Sequence, residues 1–411
     1  MSISTHEALS LSNLLRPEVR ADPYPFYAEL RSTDPVHWDE SMGFWVLTRY
    51  ADINSVYADS RFSRALGLRR GFERLSETEQ KIAQPVYQSF SKTMFYSDPP
   101  YHTRLRGLVN NAFTPNAVEQ MRPHVQRIVD SLLDEVEANG EMDAIREFAH
   151  PLPILVITQM LGLPSEDRWQ FKKWSDDLFA ILGSVPHAPE LMDRAARSLA
   201  ELTDYLTAMS DTRRQQPKND LLSALVGVVE KGERLTQEEL IANVTILLSA
   251  GHETTINLIG NGLLALLHHP EQLQKLRENP DLISSAVEEM MRYDNPVQIA
   301  YRSAAEDVEI GGKWIRKGQL VNSILAAGNR DPQRFSEPDR FDIARDEGRH
   351  LGLGLGIHFC LGAPLVRLEA QIAFSTILQR FPKLQLATEI FEWQEHPIFR
   401  GVNSLPLLFS T

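Results

Sequence analysis

The sequence predicts a mainly α fold with a smaller β part, and three observations carry that expectation. Helical-period stretches at 115–139, 189–214, 236–269 and 281–293 are bounded by Pro, Gly or capping residues. Short β signals stand at Gly43–Tyr50 (GFWVLTRY) and across Val308–Ile324. No segment is low in complexity and no repeat recurs at a period of about 20 to 50 residues, so residues 1–411 are expected to form one unit rather than an array.

In chain order, charges or prolines break every apolar run of the first thirty residues. Neither a signal-peptide core nor a membrane anchor is drawn there, and a cytoplasmic protein is expected. GFWVLTRY reads as an early strand, and Pro115 suits the start of the first long helix. The longest helix opens at TQEE, where Thr236 and Glu239 can form a capping box, and stops before Pro270. Its roughly 32 residues would span about 48 Å. Asn243, His252, Glu253 and Asn257 interrupt its apolar run, which fits a buried central helix and not a membrane span. Gly311-Gly312, between two apolar runs, predicts a hairpin turn.

The net charge of −13, from 42 basic and 55 acidic residues, argues against nucleic acid or an anionic membrane as the main partner. Cys360 is the only cysteine, which excludes an internal disulfide and a thiolate-cluster metal site. It lies in LGLGLGIHFCLGAPLVRLEA, Leu351–Ala370, where Gly354, Gly356 and Gly362 permit tight backbone and Pro364 suits the first turn of a helix. Leu365, Leu368 and Ile372 share one face of that helix. A thiol at a helix N-terminus is stabilised as thiolate, the form that acts as nucleophile or metal ligand; a small inert hydrophobe is the plainer reading.

Three more constellations stand out. In LLSAGHETT, Leu247–Thr255, Gly251 costs about 1 kcal/mol in a helix interior relative to alanine, and Glu253-Thr254 puts an acid and a hydroxyl in apolar surroundings. In AVEEMMRY, Glu289 and Arg292 are neighbours on one helix face, a pair that on a surface contributes little. Finally, DPPYHTRLR carries His102 and Arg106 at i,i+4 spacing, AYRSA carries Arg302, and His358 precedes Cys360 by two residues.

G-x-G-x-H-x-C-L-G followed by A-P-L-x-R-L-E resembles the haem-binding loop of the cytochrome P-450 superfamily of haem-thiolate monooxygenases. A-G-x-E-T, E-x-x-R and PDRFD (Pro338–Asp342) match further motifs of that family, and matching segments run from Asp22–Leu30 to Arg400–Leu407. The resemblance implies the P-450 fold, a triangular prism with a long central helix across a haem. It implies haem b as cofactor and O2 as co-substrate, with Cys360 as the axial iron ligand, whose thiolate favours O–O cleavage. Glu253 and Thr254 become a proton relay on a helix that loosens beside the haem. His102, Arg106, Arg302 and His358 become propionate partners, with Ala250, Gly251, Leu353, Gly354 and Gly362 against the ring. Glu289, Arg292 and Arg340 are implied to form a buried network. The substrate pocket is implied to draw on the loop from Phe62 to Phe95, the segment 171–189, Ile246, Ala250, Val297 to Ile299, and Val402.

The same resemblance implies an apolar small-molecule substrate, of the kind met in secondary metabolism. It also implies a monomer, and electrons from an iron–sulfur ferredoxin and its reductase, with no reductase fused to the chain. Leu353 stands where family loops commonly carry phenylalanine, and Leu355 where a basic or polar residue is common; both bear on tuning of the iron. Gly107 stands where the family often has an arginine. The competing readings are a peroxide-using oxygenase of the same fold, a haem-binding sensor without turnover, and a hydrolase or transferase with Cys360 as nucleophile paired to a histidine.

Overall fold

The computed structural model describes residues 9–181, 189–229, 232–396 and 398–410. The central helix, Gln237–His268, forms as its end signals require. The Thr236 hydroxyl accepts from the Glu239 N–H at 3.2 Å, and the Glu239 carboxylate accepts from the Thr236 N–H at 2.9 Å. Its residues are buried on nearly every side, which a helix achieves only in the middle of a large core. Around it pack Ala144–Ala149, Pro151–Leu161, Arg168–Phe179, Ile283–Tyr293 and Ala363–Arg380. No helix of the described residues is long and apolar enough to cross a membrane.

Two expected helices come out differently. The stretch 115–139 is two helices, Pro115–Glu119 and Arg122–Glu137. Pro123 lies in the first turn of the second, where a residue with no N–H and a fixed φ starts a helix more readily than it continues one. The stretch 281–293 begins as a 3-10 turn, Pro280–Leu282, before Ile283–Tyr293. The helix predicted at 189–214 is present as Pro189–Gln215.

The strands are β1 Val36–Asp39, β2 Phe44–Leu47, β3 Phe62–Ser63, β4 Glu141–Asp143, β5 Ile299–Ala304, β6 Val308–Ile310, β7 Lys313–Ile315, β8 Leu320–Ile324, β9 Gln385–Leu386 and β10 Pro406–Leu408. One sheet has the order β1-β2-β8-β5-β3, with β2 parallel to β8 and the other pairs antiparallel. A second has the order β4-β10-β9. Gly311 and Gly312, with φ of +57° and +79°, make the expected turn between β6 and β7. β8 leaves that hairpin for the larger sheet, so the single β stretch expected over 308–324 serves two sheets. The edge of the larger sheet at Ile299–Arg302, the central helix and the helix Ala363–Arg380 enclose the space described next.

Candidate active site

The cysteine loop is pinned before its helix begins. The Cys360 N–H donates to the Leu353 carbonyl at 2.9 Å, which closes the loop on itself. Gly356 has φ +65°, and a Cβ there would stand 2.8 Å from the Tyr57 carbonyl, so the backbone passes where no side chain fits. The helix Ala363–Arg380 follows with Pro364 in its first turn and Leu365, Leu368 and Ile372 buried, as expected. Cys360 is half-buried, and it lines a cavity of about 300 Å³.

Burial pushes the Cys360 thiol above its ordinary value, against the opposing pull of the Gly362 and Ala363 N–H groups and of Arg106 and Arg367. The helix start thus pulls toward the thiolate as expected, and a cation bound at the sulfur would add to that pull.

Most of the cavity wall is apolar. The central helix supplies Ile246, Ala250, Gly251 and Thr254, and a Cβ added at Gly251 would meet nothing within 4 Å. Val297, Ile299 and Arg302 line it from the sheet side, and Leu353, Gly354, His358 and Gly362 from the cysteine loop. The stretch 62–95, expected as a loop, is largely the helices Arg64–Glu73 and Glu77–Phe90, and Arg64, Met94 and Phe95 reach the cavity from it. Phe179 lines it from the segment 171–189, of which 182–188 lie outside the described residues. Val402 does not line it: its backbone bridges to Trp393 and its side chain is wholly buried in the core, while Ile398 and Phe399 reach the wall instead.

The acid and the alcohol diverge, as successive residues on a helix must. The Thr254 hydroxyl faces the cavity and donates to the Ala250 carbonyl at 2.9 Å, and Thr255 donates to Gly251 likewise. Through this stretch the helix is continuous; the expected loosening is confined to these two back-bonds. Glu253 lies outside the cavity wall and accepts from Gln394 Nε2 at 2.7 Å, and burial raises its carboxyl. His252 is fully buried, which holds its ring at about 4.

The four predicted propionate partners converge, and Arg64 joins them. His102 and His358 have ring centroids 4.4 Å apart. His358 is pushed to about 2 by burial and by Arg64, Arg302, His102 and Arg106. Arg302, 5% exposed, is held at about 10 by burial and by Arg64, and its guanidinium donates to a neutral carbonyl, that of Tyr301, at 3.1 Å. Arg106 Nη2 donates to the Phe359 carbonyl at 2.8 Å. Both ring nitrogens of buried His102 lack a hydrogen-bond partner among the described residues. Arg64 had no local motif to announce it: it follows β3 directly, and only the fold brings it beside Tyr301 and His358.

A group with two carboxylates, a flat apolar body and a cation for the sulfur fits this donor set. The arginines would take the carboxylates, the glycine loop and Ala250-Gly251 would leave room for a ring, and Cys360 would take the metal. One further residue, the glutamate that ends A-P-L-x-R-L-E, was given no role from the sequence. Glu369 also lines the cavity, with its carboxyl pushed up to about 8 by burial and Oε2 unpartnered among the described residues.

Beneath the loop, the Glu289–Arg292 pair is buried and bidentate, with Nε to Oε2 at 2.7 Å and Nη2 to Oε1 at 2.9 Å. Arg292 also donates to the carbonyls of Asn329, Pro338 and Arg340. The third side chain of this network is Arg345 and not Arg340, with Nε 3.2 Å from Glu289 Oε1. Arg340 turns its side chain to solvent, where it pairs with Glu337, and offers only its carbonyl inward.

Comparison with known proteins agrees with this geometry. The cytochrome P450 family model matches residues 71–390. The cytochrome P450 monooxygenase PikC of Streptomyces venezuelae is 45% identical over 396 residues, 94% of this chain and 91% of that protein. The polyketide biosynthesis cytochrome P450 PksS of Bacillus subtilis (strain 168) is 38% identical over 405 residues, 96% of this chain and 97% of that one. Among solved structures, P450BioI in complex with hexadec-9Z-enoic acid ligated acyl carrier protein superposes with a TM-score of 0.89 at 38% identity, covering 96% of this chain and 99% of that one. A lone cysteine at the wall of an apolar cavity ringed by cations, in a fold shared along nearly its whole length with these enzymes, places the chain in the cytochrome P450 family of haem-dependent monooxygenases.

Proposed function

We propose that the whole chain works as one monomeric cytoplasmic unit that binds haem b and inserts one oxygen atom from O2 into an apolar small molecule. Electrons would arrive singly from an iron–sulfur ferredoxin and its reductase. The observation that carries this reading is Cys360 in the wall of an apolar cavity flanked by Arg64, His102, Arg106, Arg302 and His358, with the Arg106 and Arg302 guanidinium groups donating only to neutral carbonyls. When bound, the haem supplies the dioxygen and C–H chemistry, which no side chain can supply.

The chain's own residues bind, orient and move protons. Cys360 anchors the iron through Sγ. His102, Arg106, Arg302 and His358 hold the propionates, with Arg64 contributing charge. Thr254 Oγ1 presents a hydroxyl to the cavity, and Glu253, on turning from Gln394, exchanges a proton with it. Burial raises the Glu253 carboxyl above its ordinary value, the direction that favours a proton donor. The apolar wall at Phe95, Ile246, Val297 and Ile299 draws an apolar substrate. The names of PksS and the P450BioI complex favour a polyketide or fatty-acyl chain, free or carrier-bound.

Two variants test these roles. Glu253→Gln should lower product formed per NADH with ferredoxin and reductase by about 100-fold or more, the usual worth of a positioned acid–base group, while peroxide-driven product changes little. Product from peroxide and none from ferredoxin in the unaltered protein would favour the peroxide-using alternative. Arg302→Gln removes a buried charged donor worth about 1.5–3 kcal/mol, so haem transfer to an apoprotein acceptor should run about 10- to 100-fold faster; unchanged loss would remove Arg302 from the propionate set.

A further inference from the structure

Outside the haem cavity, three side chains from two helices converge with their ligand atoms within 4.8 Å of one another: Asp176 from Arg168–Phe179, and His252 and Glu253 from the central helix. His252 is the informative member. Its Nε2 stands 3.3 Å from the His150 carbonyl, which can only accept, so Nε2 carries the ring proton. The lone pair is therefore on Nδ1, which is fully buried, has no hydrogen-bond partner among the described residues, and lies 4.0 Å from Asp176 Oδ1. A lone pair facing a carboxylate oxygen repels it unless something positive lies between.

We propose that Asp176 Oδ1, His252 Nδ1 and Glu253 form a site for a divalent transition ion of the zinc class, with water in the fourth position. Imidazole and carboxylate ligands suit that class, and a ligating histidine whose other N–H is held by a backbone carbonyl is the usual arrangement. Zinc bonds of about 2 Å ask for ligand separations of about 3.3 Å, so the side chains close by about 1 Å on the ion. Three neighbours bear on the site, the first being Gln394, whose Nε2 donates to Glu253 Oε1 at 2.7 Å and must yield to the ion. The Lys172 ammonium holds the other oxygen of Asp176, Oδ2, at 2.5 Å and competes with a cation. His150 stands beside His252 with ring centroids 5.9 Å apart. Asp176, with a side chain 40% exposed, gives the ion its way in from solvent.

The consequence is a brake on turnover. An ion here staples the helix that carries Phe179, part of the cavity wall, to the central helix, and takes the Glu253 carboxylate out of proton exchange. The second effect rests on the role proposed above for Glu253; binding itself does not.

The test uses haem-loaded protein freed of adventitious metal by a chelator and titrated with Zn²⁺ alone by calorimetry. One ion per chain is expected, with saturation at micromolar concentration. Asp176→Asn and His252→Ala should each weaken binding at least 10-fold, and Lys172→Gln should tighten it. The carbon-monoxide spectrum of each variant reports whether the haem pocket is intact; if His252→Ala loses it, the more exposed Asp176→Asn decides. No bound ion, or binding indifferent to Asp176→Asn and Lys172→Gln, overturns the site. Zinc that binds as described without lowering product per NADH keeps the site and overturns the proton role of Glu253.

Discussion

Arg292→Lys is expected to cut the yield of haem-containing protein more than about 10-fold, because breaking a buried ion pair costs about 3–5 kcal/mol. Against a total stability of about 5–15 kcal/mol that loss is decisive. Lysine keeps the charge yet cannot span both oxygens of Glu289 while also donating to the carbonyls of Asn329, Pro338 and Arg340. The informative control is Arg340→Gln, which removes an exposed side chain paired with Glu337 and should move stability by no more than about 0.5 kcal/mol. Arg345→Gln should fall between the two, since it loses the contact to Glu289, the ion pair to Glu347 and donations to the Ser336, Glu337 and Arg340 carbonyls but leaves the bidentate pair in place. Haem-to-protein ratio and thermal unfolding together measure all three; equal damage from Arg340→Gln and Arg345→Gln would contradict the network described.

Cys360→Ser should abolish oxygen insertion, by at least about 1,000-fold, equivalent to about 4 kcal/mol of barrier. The substitution changes the ligand atom and little else: serine fits the same volume, and the N–H groups of Gly362 and Ala363 remain. Haem should still be retained in part, since the cations around the cavity are untouched. Retention without turnover separates the ligand's electronic role from mere holding of the cofactor. Product formation near the unaltered rate would sink the assignment of Cys360.

What could be read from the chain alone was what is local. Thr236 with Glu239, the Gly311-Gly312 turn and Pro364 after the cysteine loop each act within a few residues, and each element formed where they placed it. The motif residues Ile246, Ala250, Gly251, Thr254, Arg302 and Cys360 meet at one cavity because the family pattern already encodes their convergence. What escaped was decided by distant chain. Arg64 reaches the cations only because β3 pairs with β5, and the parallel contact of β2 with β8 joins segments some 275 residues apart. Arg345 takes the place expected of Arg340 because the turn after Glu337 aims one side chain outward and the other inward. Val402 was expected at the cavity and lies in the core, since its backbone bridge to Trp393 fixes which way it points.

The most direct test of the central claim, a haem held by the Cys360 thiolate, is the carbon-monoxide difference spectrum of the reduced, haem-loaded protein. The red-shifted Soret band of a thiolate-ligated haem is predicted, and Cys360→Ser should lose it. A haem-loaded, unaltered protein without that band would contradict the account.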